Sequence, residues 1–364
     1  MKNTFGDSVA VTIFGESHGA AVGAVLDGLA PGIPVDPVFI ARQLELRRPY
    51  GAISTARREP DRFEIVSGVY EGSTTGTPLC IIIPNEDVKS GNYTRGAARP
   101  GHADYAAFVK YHGCEDYRGG GHFSGRLTAA LVAVGAVAIS ALCEKGVRIG
   151  THVARCGGIA DRDFADLNAD IAALGEKPFA VLDERRGAAM RSAIESAAQA
   201  GDSVGGVLET AVIGMPAGVG EPWFDSLEGV LSHALFSIPG VKGVEFGDGF
   251  ALADLRGSES NDGFYMDGGK IRTRTNHGGG INGGISNGMP LIFRCAVKPT
   301  PSIYKPQETV NLLDRTDEML TLTGRHDPAI VHRARVVVDS VAALTLCDQL
   351  ALRFGTDWLE QKGE

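Results

Sequence analysis

The chain has 364 residues, which is long enough to bury the core of one large domain or two smaller ones. Its formal net charge of −9 argues against nucleic acid and anionic membranes as partners, so a bound anion needs a local cluster of basic side chains. The six cysteines are widely spaced without a C-x-x-C pair, which favours reduced thiols in a cytoplasmic protein over a zinc site or disulfides. The longest apolar run, around residues 129–143, is shorter than the ~20 residues that a membrane span needs.

The first predicted elements are two β-strands joined by a short polar loop. Apolar and β-branched residues favour strands over residues 9–14 and 21–29. The loop between them reads Gly15-Glu16-Ser17-His18-Gly19, which would place Ser17 and His18 on an exposed turn at the end of a sheet. A polar triplet between two glycines favours a functional turn, although a plain hairpin with a surface histidine gives the same pattern.

A helix is predicted over residues 38–48, because Asp36 can cap it and Pro37 suits its first position. The helix ends in the pair Arg47-Arg48, and a second pair, Arg57-Arg58, follows a polar loop. The two pairs could form an anion clamp around that loop. They could equally be a helix end that complements the dipole and two ordinary surface arginines.

A glycine-rich stretch, residues 99–128, follows two further predicted strands over residues 63–69 and 79–84. Its glycines allow backbone N–H groups to approach an anion, and its arginines and histidines can bind and protonate one. An almost wholly apolar helix, residues 126–145, comes next and should be buried between layers. The helix N-terminus behind the glycines suits a phosphorylated or otherwise anionic molecule, although the glycines could serve only close packing.

The second half of the chain has short strands, long connections and no βαβ rhythm with a G-x-G-x-x-G motif. These features indicate an α+β protein in layers and argue against a doubly wound nucleotide-binding fold. The predicted strands are 147–156, 204–214, 241–246 and 289–297, and the predicted helices are 190–200, 224–238, 309–320 and the long amphipathic 331–353.

Four histidines, each with a glycine neighbour, lie in separate loops of the sequence. They are His18, His102, His122 and His277. Loops of this kind suggest convergence on one site, where histidine can act as a general acid and Asp327 as a base. Metal-binding and Ser-His-Asp motifs are missing from the sequence. The residues therefore indicate acid–base chemistry on an anionic substrate without a metal.

Eight motifs, in order along nearly the whole chain, closely resemble those of the chorismate synthase family. The resemblance implies one α+β domain over residues 1–364, a layered β-α-β sandwich with helices between antiparallel sheets, assembled as a homotetramer. The motifs are Gly15-Glu16-Ser17-His18-Gly19, Arg57-Arg58-Glu59-Pro60-Asp61, Arg99-Pro100-Gly101-His102-Ala103-Asp104-Tyr105, Asp116-Tyr117-Arg118-Gly119-Gly120-Gly121, Gly240-Val241-Lys242-Gly243-Val244-Glu245, Asn276-His277-Gly278-Gly279-Gly280, Lys298-Pro299-Thr300 and Gly324-Arg325-His326-Asp327-Pro328.

The resemblance also implies an activity, that of a carbon–oxygen lyase acting on phosphates in the shikimate pathway of aromatic amino-acid biosynthesis. The substrate would be 5-enolpyruvylshikimate 3-phosphate, and an anti-1,4-elimination would give chorismate and phosphate. The reaction needs reduced FMN but has no net redox change. The chain would be a monofunctional, cytoplasmic flavoprotein that takes reduced flavin from an external source.

The motifs assign roles to individual residues by resemblance. His18 would protonate the departing phosphate, His102 would stabilise the reduced flavin near its N1, and Asp327 would help flavin N5 act as a base. The residues implied to bind substrate are Ser17, Arg47, Arg57, Arg126 and Arg325. The residues implied to bind FMN are His122, Phe123, Ser124, Gly283, Lys298, Pro299, Thr300, Pro301, Ser302 and Arg325.

Three positions depart from the family pattern. His122-Phe123-Ser124 stands where many members have Arg-Ser-Ser, and histidine cannot pair bidentately with an anion as arginine does. Ala52 or Ile53 stands where the family has a loop arginine associated with substrate and with NADP, so Arg57 is expected to compensate. Pro301 replaces a common serine, which removes one hydroxyl and one N–H donor.

Two other functions fit parts of the pattern. A flavin oxidoreductase would transfer a hydride and consume NAD(P)H stoichiometrically. A protein that only binds a flavin or a phosphorylated metabolite would have lost its proton-handling residues, whereas His18, His102 and Asp327 are all present.

Overall fold

Two five-stranded sheets and the helices between them form the frame of the protein. The computed structural model describes residues 2–55, 59–87, 91, 93–323 and 326–360. The strands are β1 (Thr4–Phe5), β2 (Ala10–Gly15), β3 (Ala21–Asp27), β4 (Glu64–Ser67), β5 (Val69–Tyr70), β6 (Ser73–Thr74), β7 (Leu79–Pro84), β8 (Arg148–Cys156), β9 (Ile159–Ala160), β10 (Gly206–Ile213), β11 (Val241–Phe246), β12 (Phe264–Asp267), β13 (Lys270–Thr273), β14 (Ile281–Asn282), β15 (Ile285–Ser286), β16 (Leu291–Val297), β17 (Gln307–Asn311) and β18 (Thr316–Leu320). The α-helices are α1 (Pro37–Arg47), α2 (Asp104–Lys110), α3 (Thr128–Glu144), α4 (Leu167–Leu174), α5 (Glu184–Gln199), α6 (Leu227–Leu235), α7 (Gly257–Ser260) and α8 (Val331–Phe354).

Both large sheets are antiparallel, and helices lie between them. The first sheet has the strand order β1-β2-β3-β7-β4, and the second has the order β11-β16-β10-β8-β9. Helix α3 packs on β3 and β7 of the first sheet and on β8 of the second, while α8 packs on β8 and β10. Helix α1 contacts both α3 and α8. This arrangement confirms the predicted α+β fold with helices between antiparallel sheets.

Helix α3 is the central apolar element of the layer. Residues 125–144 form a helical segment of 20 residues, close to the predicted 126–145, that is long and apolar enough to cross a membrane, although the apolar run 129–143 was judged too short. Most of this segment is buried, because α3 lies between the two sheets and against α8. A Cβ on Gly135 would lie 2.3 Å from Cβ of Ser340, so glycine permits the close approach of the two helices.

Helix α8 is buried along most of its length, so the prediction of an amphipathic helix is wrong. Its buried polar side chains offset the cost of burial because they make hydrogen bonds. Asp339 accepts hydrogen bonds from Arg335 at 3.1 Å and from Thr151 at 2.6 Å. Asp348 accepts the backbone N–H groups of residues 7–9 at 2.7–3.1 Å, which ties the N-terminal segment to the helix.

The predicted helix over residues 309–320 is also wrong, because this segment is the hairpin of β17 and β18. The side chain of Asn311 accepts the backbone N–H groups of Leu313 and Asp314 at 3.0 and 3.2 Å, and Arg315 has a φ of +57°. These contacts make a tight turn that breaks a helix. The other predicted helices and strands named above are present, two with the predicted ends and the rest with shifts at their ends.

A ladder of charged side chains crosses the second sheet. His152, Glu209, Arg294 and Glu245 lie opposite one another on β8, β10, β16 and β11. Glu209 accepts a hydrogen bond from Arg294 at 2.8 Å and lies 3.0 Å from Nε2 of His152. Nδ1 of His152 lies 2.9 Å from Asp161. Burial alone would lower the pKa of His152, but the hydrogen bonds to Asp161 and Glu209 outweigh it and raise the pKa.

We expect His152→Gln to destabilise the fold most below neutral pH. Because the pKa of His152 is raised on folding, its contribution is fully present below the unfolded pKa and is lost as pH rises through the folded pKa. At pH 6 the variant should lose about 3 kcal/mol of unfolding free energy, and this difference should shrink as pH rises. Denaturant titrations over a pH series test this, with His233→Gln, at an exposed histidine of α6, as the control. A difference that does not depend on pH would contradict the account.

Candidate active site

A cavity of about 800 Å³ opens where several loops meet at the ends of α1, α3 and α8. The walls come from the end of α1, the loop before α2, the loop after β16, the start of α8 and the turn of residues 118–125 before α3, called here the glycine turn. The volume lies within the range of ~300–1,000 Å³ that is typical of small-molecule sites. Lining side chains that were predicted to bind or react are Arg47, His102, His122, Phe123, Ser124, Arg126, Lys298, Thr300, Pro301, Ser302 and Asp327.

The glycine turn covers the loop that carries Ser17 and His18. Gly119, Gly120 and Gly121 all have φ between +51° and +84°, a conformation that glycine adopts without strain. The carbonyl of Gly121 accepts the backbone N–H of Ser17 at 3.0 Å. Ser17 is fully buried and His18 is 9% exposed, so the prediction of an exposed turn is wrong. The sequence could not reveal this, since the covering turn is about 100 residues away along the chain.

Ser17 and His18 lie behind residues that line the cavity, and do not line it themselves. A Cβ on Gly119 would be 2.2 Å from Cε1 of His18 and 2.9 Å from Oγ of Ser17. The ring of His18 also meets Tyr93 edge-on, with 5.2 Å between centroids. Gly119 and Tyr93 both line the cavity. Oγ of Ser17 is buried and has no hydrogen-bond partner in the described part of the chain.

Arg47 and Arg126 meet at one buried carboxylate, that of Asp61. Nη2 of Arg47 donates to Asp61 at 3.2 Å, and Arg126 donates to the other oxygen. Burial would raise the pKa of Asp61, but the charges of Arg47 and Arg126 lower it below its usual value. Burial lowers the pKa of Arg47 to about 10, against the effect of Asp61, so Arg47 stays charged at neutral pH. Nε of Arg47 lacks an acceptor among the residues that the structure describes.

His102 lies on another wall of the cavity, held by the loop after β16. Its Nε2 is 2.7 Å from Oγ of Ser302, and Nζ of Lys298 donates to the carbonyl of Gly101 at 2.5 Å. Arg99 is paired with Asp104 through two hydrogen bonds of 2.7 Å. Burial and the charge of Arg99 lower the pKa of His102 to about 4, so the imidazole is neutral at pH 7. It can therefore donate or accept one hydrogen bond without carrying charge.

Asp327 joins the loop before residue 56 to the start of α8. Its carboxylate accepts the backbone N–H of Thr55 at 2.8 Å and Nη1 of Arg333 at 2.6 Å. Nε of Arg333 also donates to the carbonyl of Arg47 at 2.8 Å. Asp327, Arg333 and the end of α1 therefore form one connected network at the cavity.

The glycine turn and the loop after β16 supply the remaining lining groups. Nδ1 of His122 lies 2.8 Å from the carbonyl of Gly15. Oγ of Ser124 accepts the backbone N–H of Arg126 at 3.3 Å. Phe123 is 41% exposed beside the ring of Tyr111. Oγ1 of Thr300 is buried without a partner among the described residues.

Six predicted residues do not line the cavity or cannot be located. Ser17 and His18 are absent from the described lining and lie behind Gly119, which does line it. Pro299 and Gly283 are absent from the described lining, and Gly283 belongs to the turn between β14 and β15. Arg57 and Arg325 lie outside the described residues. Across residues 2–55, 59–87, 91, 93–323 and 326–360, no group of three or more His, Cys, Asp or Glu side chains could hold a metal ion.

Sequence reasoning assigned no role to Asp61, Tyr93, Thr55 or Arg333. Asp61 was visible as the last residue of the motif that begins at Arg57, and a carboxylate next to an arginine pair is a signal for charge compensation. The contact from Arg333 to Asp327 spans six residues, but the contact from Asp327 to Thr55 spans 272 residues and left no local signal.

Comparison with known proteins identifies the family. A family model described as Chorismate synthase matches residues 9–351. The chain belongs to the chorismate synthase family. Members of this family are carbon–oxygen lyases that act on phosphates in the shikimate pathway and that depend on a flavin.

The sequences of individual relatives align with almost the whole of this chain. A chorismate synthase of Aeropyrum pernix is 46% identical over 364 residues, covering 99% of this chain and 96% of the relative. One from Pyrococcus abyssi is 46% identical over 350 residues, covering 96% of this chain and 97% of the relative. A crystal structure of chorismate synthase superposes with a TM-score of 0.78 at 28% identity, covering 96% of this chain and 94% of that one.

Proposed function

We propose that this chain converts 5-enolpyruvylshikimate 3-phosphate to chorismate and phosphate by anti-1,4-elimination, with reduced FMN as cofactor and no net redox change. The observation that carries the proposal is a cavity lined by residues of six of the eight family motifs, with arginine, histidine and lysine side chains on its walls. The motifs of residues 15–19 and 276–280 do not line it, so the predicted convergence of four histidine loops is wrong for His277, which pairs with Asp248. An anionic substrate and an anionic flavin both need such a site in a protein of net charge −9.

The residues of the cavity fit a flavin mononucleotide. Lys298 and Arg95 supply positive charge, and the buried hydroxyl of Thr300 lacks a partner in the described part of the chain. His102, neutral at pH 7, can hydrogen-bond a ring atom while Ser302 fixes its orientation. When bound, reduced FMN supplies electron density for phosphate departure and an acceptor for the hydrogen.

The protein's own contribution is to hold the substrate and to handle protons. Arg47 would bind an anionic group of the substrate, with Ser17 hydrogen-bonding near the phosphate. Arg57, Arg126 and Arg325 complete the proposed substrate set. His18 would donate a proton to an oxygen of the departing phosphate. Asp327, held by Arg333 and Thr55, would keep a negative charge next to the reacting hydrogen.

The proposed FMN contacts include the chain's unusual loop His122-Phe123-Ser124, with Gly283, Pro299, Pro301 and Arg325. We expect His122→Arg to tighten FMN binding about tenfold, since arginine can pair bidentately with the flavin phosphate. Fluorescence titration with oxidised FMN measures this, with His233→Arg as the control. An unchanged dissociation constant would count against a direct contact at this position.

The proposed function includes a cellular location, an assembly and a source of reduced flavin for the enzyme. It acts in the cytoplasm as a homotetramer and takes reduced flavin from an external source. Ile53, 2% exposed, stands near the position of the family's loop arginine and offers no group to a nicotinamide phosphate. We therefore expect Arg57 to take over the contact with that phosphate, so that the affinity for NADP depends on Arg57.

An anaerobic assay with photoreduced FMN and the enolpyruvyl substrate tests the function. Chorismate and phosphate should form in many turnovers for each flavin, which stays reduced throughout. One flavin oxidised for each product would instead indicate an oxidoreductase. Binding of substrate and flavin without any product would indicate a binding protein.

A further inference from the structure

One buried carboxylate, that of Asp61, pairs with two arginines that line the cavity. We propose that Asp61 is a positioning residue that holds Arg47 in place to bind the anionic groups of the substrate. This inference rests on the proposed function for the identity of the substrate. It assigns to Asp61 a role at the site without contact to the reacting atoms.

Asp61 lies within ion-pair distance of three arginine side chains. Its side chain is fully buried, and its two oxygens are shared between Arg47 and Arg126. Nε of Arg48 lies 3.9 Å away. Asp61 has a φ of +50°, a left-handed conformation that aspartate tolerates better than most residues.

The two main arginines differ in what they have left to offer. Besides Asp61, Arg126 donates to Oδ1 of Asn85 at 2.8 Å and to the carbonyl of Pro84 at 3.0 Å. Arg47 has longer contacts of 3.4 Å to Gly125 and Thr128, and its Nε has no acceptor in the described part of the chain. Arg126 is therefore fixed to the protein, whereas Arg47 keeps a buried donor for a ligand.

The charges explain why a carboxylate is needed. Arg126 and Arg333 both lie close enough to Arg47 to disfavour its charged form, and Asp61 opposes them. Without Asp61, two buried guanidinium groups would repel each other and separate. With Asp61, the cluster of Asp61, Arg47 and Arg126 carries one net positive charge, which matches an incoming anion.

Asp61→Asn tests the role, because asparagine keeps the size but removes the charge. Inorganic phosphate is the probe, and its dissociation constant is measured by calorimetry together with the phosphate-dependent rise in Tm. We expect the dissociation constant for phosphate to rise about tenfold or more, because the phosphate loses a charge-assisted hydrogen bond from Arg47. In turnover assays, KM for the substrate should rise more than kcat falls. Asp170→Asn is the control, since Asp170 is also a buried aspartate that pairs with an arginine, Arg162, on a different element.

A second pair of variants covers the case in which Asp61→Asn does not fold. Arg126→Gln keeps the ion pair between Asp61 and Arg47, whereas Arg126→Gln with Asp61→Asn removes one charge of each sign and leaves Arg47 only a neutral acceptor. We expect the double variant to bind phosphate about tenfold more weakly than Arg126→Gln alone. Equal affinity in these two variants would overturn the proposal.

The phosphate measurement separates this inference from the proposed function. A wild-type chain that makes no chorismate, but whose phosphate affinity depends on Asp61, would refute the function and retain the positioning role. A chain that makes chorismate with an unchanged KM in Asp61→Asn would retain the function and refute the positioning role. A wild-type chain that binds no phosphate would also overturn the inference.

Discussion

Gly119→Ala should abolish most of the elimination activity, by a factor of about 10²–10⁴, the usual contribution of a general acid. A methyl group at this position would lie 2.2 Å from Cε1 and 2.3 Å from Nδ1 of the His18 ring. Its φ of +60° also disfavours any residue with a side chain. The ring or the turn must move, and either movement takes His18 away from the cavity wall.

His18→Ala and Gly125→Ala are the comparisons for this variant. Gly125 belongs to the same turn but has an ordinary φ, and a Cβ there would meet no atom within 4 Å. Steady-state rates should therefore fall alike in Gly119→Ala and His18→Ala and stay near wild type in Gly125→Ala. A Gly119→Ala enzyme with normal kcat would show that His18 does not act from its position behind this turn.

Asp327→Asn should lower kcat by about 10²-fold while the chain stays folded. Asparagine can still accept the N–H of Thr55, so the loop before residue 56 should keep its place, but the negative charge opposite Arg333 is lost. A role in proton transfer predicts a loss in kcat, whereas a role in loop position alone predicts little change.

Asp170→Asn is the matched control for Asp327→Asn. Asp170 likewise accepts one backbone N–H, from Ala165 at 2.9 Å, and pairs with one arginine, Arg162. Single-turnover rates and the affinity for oxidised FMN are measured for both variants. Asp327→Asn should bind FMN normally and react slowly, and a normal rate would exclude Asp327 from the chemistry.

The sequence was sufficient for features that depend on neighbouring residues. Asp36 and Pro37 predicted the start of α1, and the structure has Asp36 as its N-cap, accepting the N–H of Val38 at 2.8 Å. The apolar run after residue 126 predicted a buried helix, and α3 is buried between the sheets. The strand over residues 79–84 is present with the predicted ends.

Features that depend on distant residues could not be predicted. The burial of His18 depends on Gly119, and the state of Arg47 depends on Asp61 and on Arg126, which is 65 residues from Asp61. The hairpin of β17 and β18 reads as a helix until the side chain of Asn311 is seen to close a turn. Family motifs supplied the candidate site residues, but only the folded chain reveals which of them line the cavity and which are buried or paired.

The central claim is that the flavin and the phosphorylated substrate share the cavity between the ends of α1, α3 and α8. A crystal structure of the chain with oxidised FMN and 5-enolpyruvylshikimate 3-phosphate measures this directly. We predict both ligands within the cavity, the substrate in contact with Arg47 and its phosphate beside the turn that covers His18. Electron density for either ligand elsewhere on the protein, with this cavity empty, would contradict the account.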